Sequence, residues 1–133
     1  MAAYQRGDYA TTIRELRPLA EQGVAEAQFL LGVMYDKGQG VPQDYAEAVG
    51  WYRKAAEQGY AKAQYNLGVM YGNGEGVPQD EAQAYMWFKL ASSTFPPGEN
   101  RNIAVKSHDT VAKMMTPAQI AEAQKLAREW KPK

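Results

Sequence analysis

The stretch "AEAQFLLGVMYDKGQGVPQDYAEAVGWYRKAAEQG" (residues 25–59) returns, altered, as "AKAQYNLGVMYGNGEGVPQDEAQAYMWFKLASSTF" (61–95). A shift of 36 residues aligns the two, and roughly half of the paired positions are then identical. The same shift backwards lays "GDYATTIRELRPLAEQG" (7–23) on "QDYAEAVGWYRKAAEQG" (43–59). The chain thus holds two complete units and the second half of an earlier one, preceded only by a stub at Ala2 to Arg6. Such a beginning implies sequence further upstream.

Within a unit the apolar residues recur at helical spacing. Ala27, Leu31, Met34 and Tyr35 form one stripe, repeated as Ala63, Leu67, Met70 and Tyr71. Ala48, Trp51, Tyr52 and Ala55 form a second, repeated as Ala84, Trp87, Phe88 and Ala91. Each unit reads as helix A, loop, helix B. A single hairpin cannot bury both stripes, whereas a stack of hairpins can, so the expected fold is an all-α solenoid.

The loops "GQGVPQD" (38–44) and "GEGVPQD" (74–80) invite a phosphate-binding reading. That chemistry needs a preceding strand and a lysine at the helix start, and neither is present. A structural reading assigns each residue a local task. Gly38 and Gly74 stand where helix A ends in a left-handed cap. Pro42 and Pro78 prevent the helix from continuing. Asp44 and Asp80 cap helix B, with Glu47 and Gln83 completing a capping box, and Asp8 is their counterpart in the partial unit. Gly32 and Gly68 lie inside helix A, where glycine costs about 1 kcal/mol relative to alanine. Their recurrence predicts close approach of a neighbour, for which Trp51 and Trp87 are the expected residues.

The pattern AxAQxxLGxxY followed by GxGVxxDxxxAxxW resembles the Sel-one-like repeat, a relative of the tetratricopeptide repeat with a longer inter-helix loop. The resemblance covers residues 25–95 and, as a half unit, 7–23. It implies an α/α superhelix acting as an adaptor or scaffold, often in bacterial signalling, envelope or host-contact settings. In such superhelices the A helices line the concave face. The candidate partner contacts are then Glu26, Phe29, Leu30 and Val33 in one unit, and Lys62, Tyr65, Asn66, Val69 and Asn73 in the next. Phe29 and Tyr65 are equivalent, and aromatic anchors lose little rotamer entropy on binding. The alternative is that both rings pack between adjacent A helices.

The pattern ends after Thr94. "FPPGENRN" (95–102) reads as a longer loop, followed by a helix from about Asn102 to Met115 with Ile103, Val111, Met114 and Met115 as its apolar set. "TPAQIAEAQKLAREW" (116–130) is a second helix, with Thr116 as cap, Pro117 at its first position and Gln119 closing a capping box. The expected organisation is one repeat domain over 1–133. It comprises a partial repeat (1–23), two repeats (24–59 and 60–95) and a C-terminal capping hairpin (96–133).

Fifteen basic residues balance fifteen acidic ones, so the chain lacks the basic excess of a general nucleic-acid binder. There is no cysteine, which removes disulfides and thiolate metal sites. No apolar run approaches the ~20 residues of a membrane span. The N-terminus has no secretory signal pattern, which fits a cytoplasmic protein or an exported one whose leader has been trimmed. His108, with Asp109 beside it, has no metal-binding partner at helical spacing, and adjacent helical residues do not face each other. It reads as a solvated polar side chain. No nucleophile–base motif is visible: Ser92, Ser93 and Ser107 lack a lysine three residues on.

The expected function is therefore non-enzymatic, without cofactor, metal or nucleic acid: capture of a protein or peptide segment on the A-helix face. One alternative is self-association through the N-terminal end, where Tyr4, Tyr9 and Ile13 lack a preceding helix to cover them. A remote alternative is a cell-wall or β-lactam-directed activity.

Overall fold

In the computed structural model, which describes residues 2–133, three aspartates each open a helix. Asp8 accepts a hydrogen bond from the Thr11 amide at 3.2 Å, Asp44 from Glu47 at 3.1 Å and Asp80 from Gln83 at 3.1 Å. The helices so begun are α2 (Tyr9–Glu21), α4 (Tyr45–Glu57) and α6 (Glu81–Thr94). The stub forms α1 (Ala2–Gln5), and the A helices are α3 (Ala25–Lys37) and α5 (Ala61–Asn73). Two helices follow, α7 (Glu99–Ala112) and α8 (Pro117–Glu129). No strand occurs among the described residues. Consecutive helices from α1 to α7 pack on one another, which gives the stack of antiparallel hairpins that the repeat demands.

The repeated loop does two jobs. Gly38 and Gly74 adopt left-handed φ of 68° in both units, and their amides close onto the Met34 and Met70 carbonyls. The second glycines, Gly40 and Gly76, also have positive φ and lie where the loop crosses the preceding B helix. A Cβ at Gly40 would come within 2.8 Å of Tyr9 Cβ, and one at Gly76 would collide with the Tyr45 carbonyl. The loop thus sets the spacing between repeats as well as turning the chain.

The capping boxes expected at Asp44 and Asp80 are only half made. Their amides donate to the Tyr35 and Tyr71 carbonyls of the preceding A helix, at 2.9 and 3.0 Å, and are not left for Glu47 and Gln83. Only Thr116 and Gln119 form the full reciprocal box.

The neighbour of each helix-interior glycine is also different from the one expected. A Cβ at Gly32 would lie 2.6 Å from Tyr52, and one at Gly68 would lie 2.7 Å from Phe88. Trp51 and Trp87, one residue earlier, point about 100° away around the helix. Trp51 packs with Leu16, Ala20, Ala27, Leu31 and Met34. Trp87 packs with Ala55, Ala56, Ala63, Leu67 and Met70. Each tryptophan therefore ties its B helix back to the hairpin before it.

Polar side chains repeat these ties. Gln28 and Gln64 are buried and donate to the Ala20 and Ala56 carbonyls at the end of the preceding B helix. Arg17 donates to the Tyr35 hydroxyl, and its counterpart Arg53 to that of Tyr71. The Tyr35 hydroxyl in turn holds the Arg17 guanidinium above its ordinary pKa.

At the C-terminus, α7 begins three residues earlier than expected, after Gly98, and Arg101 Nε fixes the loop by donating to the Phe95 carbonyl at 2.9 Å. Its buried residues are Ala104 and Val111, followed by Met115; Ile103 and Met114 of the expected apolar set are exposed. Both α7 and α8 lie on α6. Leu126, Ala127 and Trp130 join the cluster around Trp87, with the Trp130 and Trp87 ring centres 6.0 Å apart and edge to face. The tail then reaches α4, where the Lys133 amide donates to the Glu57 carbonyl at 2.7 Å.

Candidate binding face

Packing divides the candidate contacts on the A helices into groups. The Phe29 ring, half-buried, lies 5.9 Å from Tyr52 and 5.3 Å from Tyr60. Tyr65 lies 5.3 Å from Phe88, and its hydroxyl shares a 3.1 Å hydrogen bond with Ser107 Oγ on α7. Each ring leans on an aromatic of its own B helix and also reaches the next helix in the A position, Phe29 at Tyr60, which caps α5, and Tyr65 at Ser107 on α7. Burial, with the Glu26 carboxylate as a second cause, raises the Tyr60 pKa beside Phe29. Burial, then Asp36, raises that of Tyr52. Both hydroxyls keep their protons at neutral pH.

Six of the nine candidates come together along the seam between α5 and α7. One cavity, of about 200 Å³, is lined by Phe29, Lys62, Tyr65, Asn66, Phe95 and Asn100. The next, of about 290 Å³, includes Val69 and Asn73 from α5, Lys106, Thr110 and Val111 from α7, and Met114 just beyond it. The Tyr65–Ser107 bond crosses the seam between the two helices. Asn73 also donates to Glu75 in the following loop.

The other three candidates lie elsewhere. Leu30 and Val33 pack against core clusters within the stack. Glu26 edges a separate groove of about 230 Å³ at the N-terminal end, formed with Leu16, Leu19, Val24 and Ala27. The contribution of α7 was missed by treating everything after Thr94 as a cap. A further shift of 36 residues from α5 lands on 97–109, within which most of α7 falls, so the register held the signal although the residues no longer match.

The N-terminal expectation also needs correction. Tyr4, Tyr9 and Ile13 are half-buried, because the loop of the next repeat covers them. Gln39 accepts from the Tyr4 hydroxyl at 2.9 Å and donates to that of Tyr9 at 3.3 Å. The exposed apolar residues at this end are Leu19 and Val24.

His108 is not a solvated side chain. Its ring packs 4.2 Å from that of Tyr85, and Nδ1 contacts Asp109 Oδ1 at 3.0 Å despite their adjacency. No nucleophile joins this pair, and no group of three or more acidic, histidine or cysteine side chains is placed to hold a metal among the described residues. Among the described residues no helix is long and apolar enough to cross a membrane. The groups lining the seam are hydroxyls, amides, two ammonium groups and apolar walls.

The Sel1 repeat family profile matches residues 25–60 and 61–93. A crystal structure of a protective antigen present in uropathogenic Escherichia coli strains, displaying an SLR fold, is similar over 97% of this chain and 28% of its own, at 33% identity and a TM-score of 0.88. A Sel1 repeat protein from Oxalobacter formigenes is similar over 77% of this chain and 28% of its own, at 37% identity and a TM-score of 0.70. The chain thus spans about a quarter of the length of either structure. No curated protein matches it. With two repeats matched by the profile and the hairpin stack shared with both structures, the chain belongs to the Sel1 repeat family.

Proposed function

We propose that this chain is a scaffold that holds a polypeptide segment along its A-helix face, chiefly in the seam between α5 and α7. Sel1 repeats generally mediate protein interaction, and the Sel1 fold is typically non-catalytic. The observation that carries the reading is the pair of adjoining cavities along this seam, which offers side-chain-sized hollows flanked by amides and hydroxyls. An extended segment can satisfy its backbone on Asn66, Asn100 and Thr110 while dropping side chains into the hollows.

The test compares capture of the native-host partner by the unaltered chain and by two surface variants. Asn73→Arg combined with Thr110→Arg fills the seam without touching the core and should abolish capture. Lys54→Glu, on α4 beside Trp51 and away from the seam, should leave it intact. Equal capture by all three proteins would refute the placement.

A second reading is self-association at the N-terminal end, favoured by exposed Leu19 and Val24 beside the 230 Å³ groove. Light scattering across concentration tests it, with Leu19→Glu expected to give a monomer. A chain that is monomeric throughout removes this reading.

A further inference from the structure

We infer that the segment held in the α5–α7 seam is acidic and carries an apolar side chain for the wider of the two cavities. This rests on the scaffold reading and specifies the chemistry of its partner. The only charged side chains lining the two cavities are Lys62 and Lys106; no aspartate or glutamate lines either. The ion pairs among the described residues are His108–Asp109 and Lys133–Glu57, so neither seam lysine has a carboxylate of its own. In a chain with equal numbers of acids and bases, this is a local excess created by the fold. A neutral or basic occupant would cover two ammonium groups without compensation, whereas an acidic one pairs with them.

The seam is also graded along its length. Around Lys62 it offers the carboxamides of Asn66 and Asn100, which can donate to a carboxylate or pair with a peptide backbone. Beyond the Tyr65–Ser107 bond the wall turns apolar with Val69, Val111 and Met114, of which Met114 is 60% exposed. A flexible thioether at such a position adapts to varied apolar side chains. The bound segment therefore places its acids toward Lys62 and Lys106 and its apolar residue against Met114. Two cations are too few for a phosphate backbone, which typically engages roughly 6–10 contacts.

The experiment selects a phage-displayed library of random linear peptides on the full chain and measures the selected peptides by calorimetry. Expected are sequences enriched in Asp and Glu with an apolar residue. Their affinity should fall at least about tenfold in the Lys62→Glu, Lys106→Glu double variant and decline with added salt. Peptides in which the acids are exchanged for lysine should recover affinity for that double variant, a rescue that a misfolded variant could not show. Peptides without acidic bias that are lost on Thr110→Arg would overturn this inference and leave the scaffold reading standing. Enrichment of no peptide would overturn both. Competition by an oligouridylate for the selected peptides would overturn the acidic-peptide assignment in favour of a nucleic acid.

Discussion

Two glycines of α5, one turn apart, allow the packing to be tested with a single chemical change. Neither Gly68 nor Gly72 has positive φ, so alanine is conformationally acceptable at both. In an exposed helix interior the exchange gains up to about 1 kcal/mol from helix propensity. At Gly72 the new methyl would lie 3.8 Å from Ala84 Cβ, an ordinary contact, so Gly72→Ala should stabilise the chain by about 0.5–1 kcal/mol. At Gly68 the methyl would lie 2.7 and 2.8 Å from two atoms of the Phe88 ring. Phe88 is buried, with the Tyr65 ring tilted against it at 5.3 Å, so the ring cannot simply swing away. Overpacking of this kind costs about 1–3 kcal/mol, enough to cancel or reverse the propensity gain. Urea unfolding followed by circular dichroism should therefore place Gly68→Ala below Gly72→Ala by at least about 1 kcal/mol at unchanged m-value. Phe88→Leu makes room, so the double variant Gly68→Ala, Phe88→Leu should show favourable coupling of about 1 kcal/mol or more. Equal stabilisation by the two alanines, or zero coupling, would mean that α6 does not approach α5 at Gly68.

Four further outcomes follow from other parts of the stack. Leu67→Ala, at a fully buried site, should cost about 2–5 kcal/mol in the same unfolding assay. Asp80→Ala removes the cap of α6 and should cost about 0.5–2 kcal/mol, with Asp80→Asn nearly neutral. At the C-terminal tail, Trp130→Ala should cost about 1–3 kcal/mol through lost contact with Trp87, while Lys133→Ala should change stability by less than about 0.5 kcal/mol, because its pair with Glu57 is largely solvated. The Asp8 carboxyl is held below its ordinary pKa, first by the Thr11 side chain and then by the Thr11 amide. The folded state therefore binds fewer protons there than the unfolded one. The cap's contribution is complete above the ordinary carboxylate range and is lost as pH falls through the lowered value. An NMR titration should find the Asp8 midpoint below that of a model peptide, and a midpoint at or above it would remove the cap's pH dependence.

The sequence disclosed whatever a short-range rule governs. The period of 36 residues, the glycine that ends each A helix and the aspartate that starts each B helix are local signals, and each appears where expected. Features decided by rotation about a helix or by competition for one donor were not legible. Tyr52 and Phe88 differ from Trp51 and Trp87 by one position, and only the crossing of two helices decides which ring meets the glycine. Asp44 and Asp80 have the spacing of a capping box, but the Tyr35 and Tyr71 carbonyls arrive first. His108 and Asp109 touch although adjacent, with the His108 ring against Tyr85 of α6, a contact that helix periodicity does not describe. The candidate face was legible on α3 and α5, which share a motif. It was hidden on α7, which keeps the register and abandons the motif.

The two repeats also act as a comparison of the molecule with itself. On the A helices Ala27, Gln28, Leu31, Gly32 and Met34 are buried, and their counterparts Ala63, Gln64, Leu67, Gly68 and Met70 are identical and also buried. Tyr35 and Tyr71 are only half-buried yet identical, and each receives an arginine from the preceding B helix. The positions that change are Glu26 to Lys62, Phe29 to Tyr65, Leu30 to Asn66, Asp36 to Gly72 and Lys37 to Asn73, all exposed or half-buried. Inter-repeat ties therefore fix one side of each A helix and leave the other chemically free. At Gln28 and Gln64 the fixed side even retains a cost: Gln28 Oε1 accepts from Gln58, whereas Gln64 Oε1 has no partner because Thr94 replaces that glutamine in the next unit. The stack tolerates an orphaned acceptor more readily than a change in the side chain that spans two hairpins. A surface released from packing in this way can acquire a lysine or an asparagine without disturbing the helices beneath it. That is the physical basis for proposing recognition on the A-helix side, with the structural ties carried by the other side.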